Sequence, residues 1–278
     1  MTRCPPRRRI AQVVVVASSW LALAVVAGHA VAHTARAAWA PVALLLVTVW
    51  AVDAFLPAVS PWALRRGRPV PPGAQRRVAL TFDDGPSPDT PAILAALAAE
   101  HVPATFFMLG AHVEKRPEVA QAVAAGGHAI GNHTWSHPVL SLVGPRRLAR
   151  ELDRTAEALA RAGVGRTPLF RAPRGFQGVL VRRCLRERGL RLIGWTRGAW
   201  DSERRPAADI AAAATANPRD GDILLLHDGA GTAGEQRRDR TAEAIPLVVR
   251  AYRERGFRFV TVPELLASPT IPAEARDG

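Results

Sequence analysis

From Arg77 onward, short apolar runs alternate with longer amphipathic ones, and this alternation limits the possible folds more than any other feature. "RVALTF" precedes "TPAILAALAAEH", "ATFFML" precedes "RPEVAQAVAAGG", and "HAIGN" precedes "GPRRLARELDRTAEALARAG". "LFRAP" and "VLVRRCLRERG", "RLIGW" and "PAADIAAAATA", "DILLLH" and "TAEAIPLVVRAYRERG" continue the pattern, which closes on "FRFVTV". The long runs carry apolar residues at helical spacing, as in Leu148, Leu152, Ala156 and Leu159, with Gly or Pro at their ends. Seven strand candidates alternating with six helix candidates predict an α/β fold, a parallel sheet with helices outside, either a barrel or a doubly wound sheet.

Both architectures place chemistry at the carboxyl ends of the strands. The polar outliers fall there. Asp83 and Asp84 end the first strand candidate, and Asn132 and His133 follow the third. Arg171 ends the fourth, Trp195 and then Asp201 follow the fifth, and His227 with Asp228 ends the sixth. Charges scattered by chance among loops would not choose a single rim.

"HTWSH" spaces His133 and His137 so that two imidazoles can grip one cation. With Asp84 from a neighbouring strand end they form a three-ligand set that leaves positions open for water or substrate, a catalytic arrangement. Zinc is the expected ion, and the same donors accept cobalt, nickel or iron(II). Asp83 is the candidate base toward a metal-activated water, since a cation next door keeps a carboxylate ionised beside a like charge. Adjacent strand residues face opposite ways, so a turn at Asp84, Gly85 and Pro86 is required for both to reach one centre. His227 is the candidate acid toward the leaving group. Leu225, two residues earlier, points the same way and lines a small apolar pocket.

Five stretches, "TFDDGP", "HTWSH", "RAPRG", "WTRGAWD" and "LLLHD", stand in the order of the polysaccharide deacetylase family, carbohydrate esterase family four, also called the NodB homology domain. The region from about 77 to 266 resembles that domain. The resemblance implies a distorted (β/α)7-type barrel and a hydrolase that removes N-acyl groups from amino sugars. It implies Asp83 as base, with Asp84, His133 and His137 on the metal; Arg171 would orient Asp83 and Asp201 would tune His227 as acid. Leu225 would touch the acyl methyl group, with Arg174 and Trp200 also at the substrate pocket. Two departures stand out. Arg174 replaces the family's usual aromatic residue, where the backbone N–H carries the role at the oxyanion. In the fourth motif Trp200 precedes Asp201, whereas the family has Asp followed by Trp.

The first seventy residues differ in kind. After Arg7, Arg8 and Arg9, an apolar stretch over about 10–32 is long enough to cross a bilayer, and a second follows over about 38–59. Trp39, Trp50 and Trp62 suit interfacial positions. A membrane anchor is expected at 1–64, a Pro/Arg-rich linker at 65–76, the catalytic domain at 77–267 and a tail at 268–278. Arginines cluster before and after the pair, which favours a hairpin with the domain on the cytoplasmic side, while the family resemblance favours the outside. The substrate is then a polysaccharide outside, or a lipid-linked sugar inside.

The net charge of +13 does not point to nucleic acid: Lys115 is the only lysine among 37 basic residues, a bias that suggests GC-rich coding. No zinc-finger spacing, recognition helix or aromatic-interleaved basic stripe accompanies it. Cys4 and Cys184 form no disulfide framework. The rival readings are a glycan-binding protein with a dead site and a cyclic-amide hydrolase of the same fold. The first predicts loss of base, acid or ligands, yet Asp83, Asp84, His133, His137 and His227 are all present.

Overall fold

The computed structural model describes residues 39–55, 63–71, 73–203, 205–231 and 237–267. A curled sheet of eight strands, parallel at every ladder, forms its centre. The strands are β1 (Arg76–Asp83), β2 (Thr105–Met108), β3 (Ala129–Asn132), β4 (Leu169–Phe170), β5 (Arg191–Leu192), β6 (Arg197–Gly198), β7 (Asp222–His227) and β8 (Phe257–Phe259). Their order is β5-β4-β3-β2-β1-β7-β6, with β8 beside the first half of β1. The helices are α1 (Trp39–Phe55), α2 (Thr90–Ala99), α3 (Gly110–Lys115), α4 (Pro117–Ala125), α5 (Pro145–Arg161), α6 (Val179–Glu187), α7 (Ala207–Thr215), α8 (Asp239–Arg253) and α9 (Val262–Leu266).

The central strand shows how the sequence builds two cores. All of β1 beyond Arg76 is buried, as a parallel strand covered on both faces must be. Val78, Leu80 and Phe82 point outward and pack with Ile93 and Leu97 of α2 and Ile245 and Val248 of α8. Ala79 points inward and joins Phe107, Ile223, Val262 and Leu265 in a second core inside the curl. Side-chain alternation then carries Thr81 and Asp83 up the same inner face. On the neighbouring strand Ile223, Leu225 and His227 keep step, paired in register with Ala79, Thr81 and Asp83. The inside of the curl is thus apolar at its base and polar at its rim.

Two local readings change. "RLIGW" does not run as one strand: β5 stops at Leu192, and the carbonyls of Ile193 and Gly194 turn to accept hydrogen bonds from Arg171 before the chain resumes as β6. "FRFVTV" stops at Phe259, because Thr261 and Glu264 form a reciprocal capping box that starts α9. The count is therefore eight strands where seven were expected.

The segment expected as a linker is tied to the domain. Leu64 bridges Ile193 and Arg66 bridges Asp222, so residues 64–66 span from the β5 end of the sheet to the start of β7. Arg66 also reaches Asp222 at 3.0 Å, and Asp220 accepts the backbone N–H groups of Val70 and Arg77 at 3.0 and 2.7 Å. Of the two expected spans, 10–32 lies outside the described residues. The second coincides with α1, a helix of 17 residues, and among the described residues no helix is long and apolar enough to cross a membrane.

Candidate active site

Register puts two of the expected groups side by side. Asp83 at the end of β1 pairs with His227 at the end of β7, and both side chains face the inner rim. Asp84 follows with φ 77°, so the chain turns at Asp84 itself, and consecutive carboxylates reach the same centre. Its neighbours are fitted closely: a Cβ on Gly85 would strike the Asp228 carboxylate, and one on Gly229 would strike the Asp84 carbonyl.

Arg171 is wholly buried and fixes Asp83. One guanidinium nitrogen donates to Asp83 Oδ1 and to Thr81 Oγ1, each at 2.7 Å, and the other donates to Gly194 O at 2.9 Å. The cation also lies 4.1 Å from the centre of the Phe107 ring. This pairing occupies Oδ1 of Asp83 and leaves Oδ2 facing His133 Nε2 at 3.8 Å.

The Asp84, His133 and His137 donors converge within 4.8 Å of one another. His133 Nδ1 donates to the Arg171 carbonyl at 2.8 Å, which turns Nε2 toward Asp84 Oδ1 at 3.4 Å. His137 Nε2 lies 3.2 Å from the same oxygen, yet Asp84 Oδ1 is buried and accepts no hydrogen bond. Burial pulls the His137 pKa down to about 4, with Asp84 opposing and His133 and Arg174 adding to the fall, so this imidazole is neutral at pH 7. Burial acts the same way on His133, but Asp83 and Asp84 outweigh it and push its pKa up. At Asp84 burial is outweighed by His133, which holds the carboxylate well below its usual range. Two ring nitrogens and a carboxylate oxygen therefore gather around one point beside two carboxylates, a place that favours positive charge. Tetrahedral bonds of about 2.0–2.1 Å separate ligand atoms by about 3.3 Å, close to the spacing of these donors, so the cluster fits a small divalent cation.

The opposite flank is complete in itself. Asp201 accepts His227 Nδ1 at 2.9 Å and the His227 backbone N–H at 2.8 Å, and Thr241 Oγ1 donates to it at 2.9 Å. Burial alone would lower the His227 pKa; Asp201, aided by Asp84 and Asp83, overcomes it and pushes the value up to about 9. The imidazole thus holds its proton at neutral pH. Asp201 reaches His227 although Trp200 precedes it in the motif: Trp200 has φ 58° and is exposed, and the buried Asp201 opens the short turn Asp201–Glu203. Leu225 is half-buried between the buried Leu224 and Leu226, on the His227 side of β7. Arg174 is exposed in the loop after β4 with φ 57°.

Several supports were not anticipated. Glu151 of α5 accepts the backbone N–H groups of Trp135 and Ser136 at 3.0 and 2.8 Å and the Ser136 hydroxyl at 2.8 Å, which pins the loop between the two histidines. Its signal was available: a carboxylate on the apolar stripe of Leu148, Leu152 and Thr155 has to be buried for a reason. His112 Nδ1 contacts the Asp84 carbonyl at 2.8 Å, and nothing in its sequence context announces this. Arg238 donates to Gly229 O at 2.7 Å behind the rim. Thr90 donates to Asp228 Oδ2 at 2.7 Å, and burial pushes the Asp228 pKa up to about 7.

A family profile described as polysaccharide deacetylase matches residues 71–193. A chitooligosaccharide deacetylase of Sinorhizobium fredii is 36% identical over 194 residues, 67% of this chain and 90% of that protein. A peptidoglycan-N-acetylglucosamine deacetylase of Bacillus cereus is 34% identical over 202 residues, 70% of this chain and 90% of the relative. Among solved structures, the family 4 carbohydrate esterase from Streptomyces lividans in complex with acetate aligns with a TM-score of 0.64 at 28% identity, over 71% of this chain and 100% of that one. With the curled parallel sheet and the rim it carries, these likenesses show that the chain belongs to the polysaccharide deacetylase family and is a hydrolase of amide carbon–nitrogen bonds.

Proposed function

We propose that this protein removes N-acetyl groups from glucosamine-containing glycans, using one divalent cation held by Asp84, His133 and His137, most simply zinc. The observation that carries the reading is the register pairing of Asp83 with His227, which sets a carboxylate and a protonated imidazole side by side on the rim that holds the three-donor cluster. When bound, the cation would polarise the acyl carbonyl and lower the pKa of water. Asp83, held through Oδ1 by Arg171, keeps Oδ2 to accept the water's proton. His227, whose Nδ1 is committed to Asp201, keeps Nε2 to protonate the departing amine. Leu225 receives the acyl methyl group, the Arg174 backbone N–H faces the oxyanion, and Trp200 lines the mouth. The names of the relatives support chitooligosaccharide or peptidoglycan as the substrate class. Formyl is the alternative acyl group.

The apolar N-terminal region is read as a membrane anchor. Val42, Leu45, Leu46, Val47 and Val49 of α1 are exposed on more than one face, a pattern that water does not favour. The arginine distribution favours a cytoplasmic domain and a lipid-linked sugar; an extracytoplasmic domain would meet wall glycan instead. Acetate and formate release from N-acylated chito-oligosaccharides, peptidoglycan fragments and lipid-linked amino sugars, with metal removed and restored, tests the chemistry. Turnover that survives chelation, or an Asp83→Asn variant as active as the parent, would refute it. A reporter fused after Pro72 decides the side.

A further inference from the structure

The exposed large apolar side chains of the catalytic domain share one rim of the sheet. Among the described residues beyond Leu64 they are Leu142, Val179, Leu180 and Trp200, with 71%, 66%, 53% and 53% of their surface in water. Leu142 lies in the loop after β3, Val179 and Leu180 open α6 after β4, and Trp200 follows β6, so all four stand at the carboxyl rim that carries the site. Leu140 and Val181, the buried neighbours of Leu142 and Leu180, share one cluster with Val143 packed against it, which brings the two aliphatic groups onto one shoulder of the mouth.

The charge around that shoulder is mainly positive. Residues 133–150 and 171–186 contain no Asp or Glu and expose Arg146, Arg150, Arg174 and Arg186, while Arg147 and Arg183 pair with Glu151 and Glu187 at 3.9 and 3.0 Å. Trp200 alone offers the flat aromatic face of a sugar-binding platform, whereas the Leu and Val side chains on the other shoulder offer none. Aliphatic side chains ringed by arginines match the boundary of an anionic bilayer, where the apolar tips enter and the guanidinium groups meet phosphates. The all-round apolar α1 of the same chain provides the continuity.

We propose that this rim seats the catalytic domain on an anionic lipid surface, with Leu142, Val179 and Leu180 inserted and Arg146, Arg150 and Arg174 on the headgroups, so that the site faces the membrane. The inference goes beyond anchoring, which requires only the N-terminal region, and it is independent of the acyl group removed.

The test uses the full chain in a Cys4→Ser background, Cys184 being buried. An environment-sensitive thiol dye is placed at Leu142→Cys, at Leu180→Cys, or at Glu254→Cys on the opposite end of the domain as control. In vesicles containing phosphatidylglycerol, the dye at 142 and 180 is expected to shift to the blue and to be quenched by nitroxide-bearing lipid at least about twofold more than at 254. Raised salt or phosphatidylcholine alone should reduce the difference. Sedimentation with vesicles while the dye at 142 and 180 stays in water would overturn the docking and leave the anchor standing; no sedimentation would overturn both. Equal quenching in neutral vesicles would overturn the anionic surface, and a blue shift caused by a soluble polyanionic glycan without lipid would reassign the rim to that ligand. Acetate release from a soluble chito-oligosaccharide, measured on the same samples, reports the deacetylase reading separately.

Discussion

The two flanks of the site are built from the same residue types, aspartate and histidine, yet they end in opposite states. Around Asp201 every polar atom is answered: two hydrogen bonds with His227 and one from Thr241. Around Asp84 the donors point at one another, Oδ1 accepts no hydrogen bond, and His137 Nδ1 has no partner either. The saturated flank stores one proton at a fixed place. The unsaturated flank is arranged for a charge from outside the chain, because buried polar atoms without partners are costly unless something supplies them.

Chelation should separate the flanks most sharply. Removing divalent ions is expected to abolish deacetylation, and zinc at about 100 times its Kd should restore it while stabilising the fold by about 2.7 kcal/mol, read as a rise in Tm. Activity unaffected by chelation would erase the distinction between the two flanks. Next, Asp83→Asn should lower kcat by about 10²–10⁴ with zinc affinity retained in titration calorimetry, whereas His137→Ala should lose the affinity itself.

On the saturated flank, Asp201→Asn should lower kcat about 10²-fold, leave zinc binding intact and move the alkaline limb of the pH–rate profile to lower pH. The same pair governs stability in chelator. The His227 pKa is raised in the fold to about 9, so its contribution is fully present below the unfolded value of about 6.5 and disappears as pH rises through 9. Urea unfolding of His227→Gln should lack that dependence.

Smaller effects test the supports. Glu151→Gln should cost about 1–3 kcal/mol of stability and weaken zinc binding by loosening the loop between His133 and His137. A variant with unchanged zinc affinity would limit Glu151 to holding the fold. Least of all, Leu225→Ala should change acetyl turnover only a few-fold, about 1 kcal/mol, while improving propionyl relative to acetyl in a competition assay.

The legible parts of the site were those compressed into short stretches. Asp83 with Asp84, and His133 with His137, announce themselves by spacing, and strand alternation put Leu225 beside His227. The partnership of Asp201 with His227 was not available from spacing, since 26 residues and helix α7 separate them; the family likeness supplied it. Glu151 and His112 act through backbone atoms of distant loops, and such bonds leave little trace in residue type. The parallel sheet with helices outside followed from the alternation, but the strand order and where strands end did not. Tertiary hydrogen bonds from Arg171 stop β5, and a capping box that reads as a β-branched run stops β8.

Asp83 and His227 meet because β1 and β7 pair, and that pairing joins positions about 140 residues apart. Contacts of such long range form slowly, since loop closure must precede any gain from them. During synthesis, a chain released only as far as α6 already contains Asp83, Asp84, both cluster histidines and Arg171, yet has neither His227 nor Asp201. The power to collect a metal ion thus precedes the power to use it, and in refolding the recovery of turnover should lag behind the recovery of ion binding. The β1–β7 pairing acts as a safety catch: no half-folded chain carries a working acid.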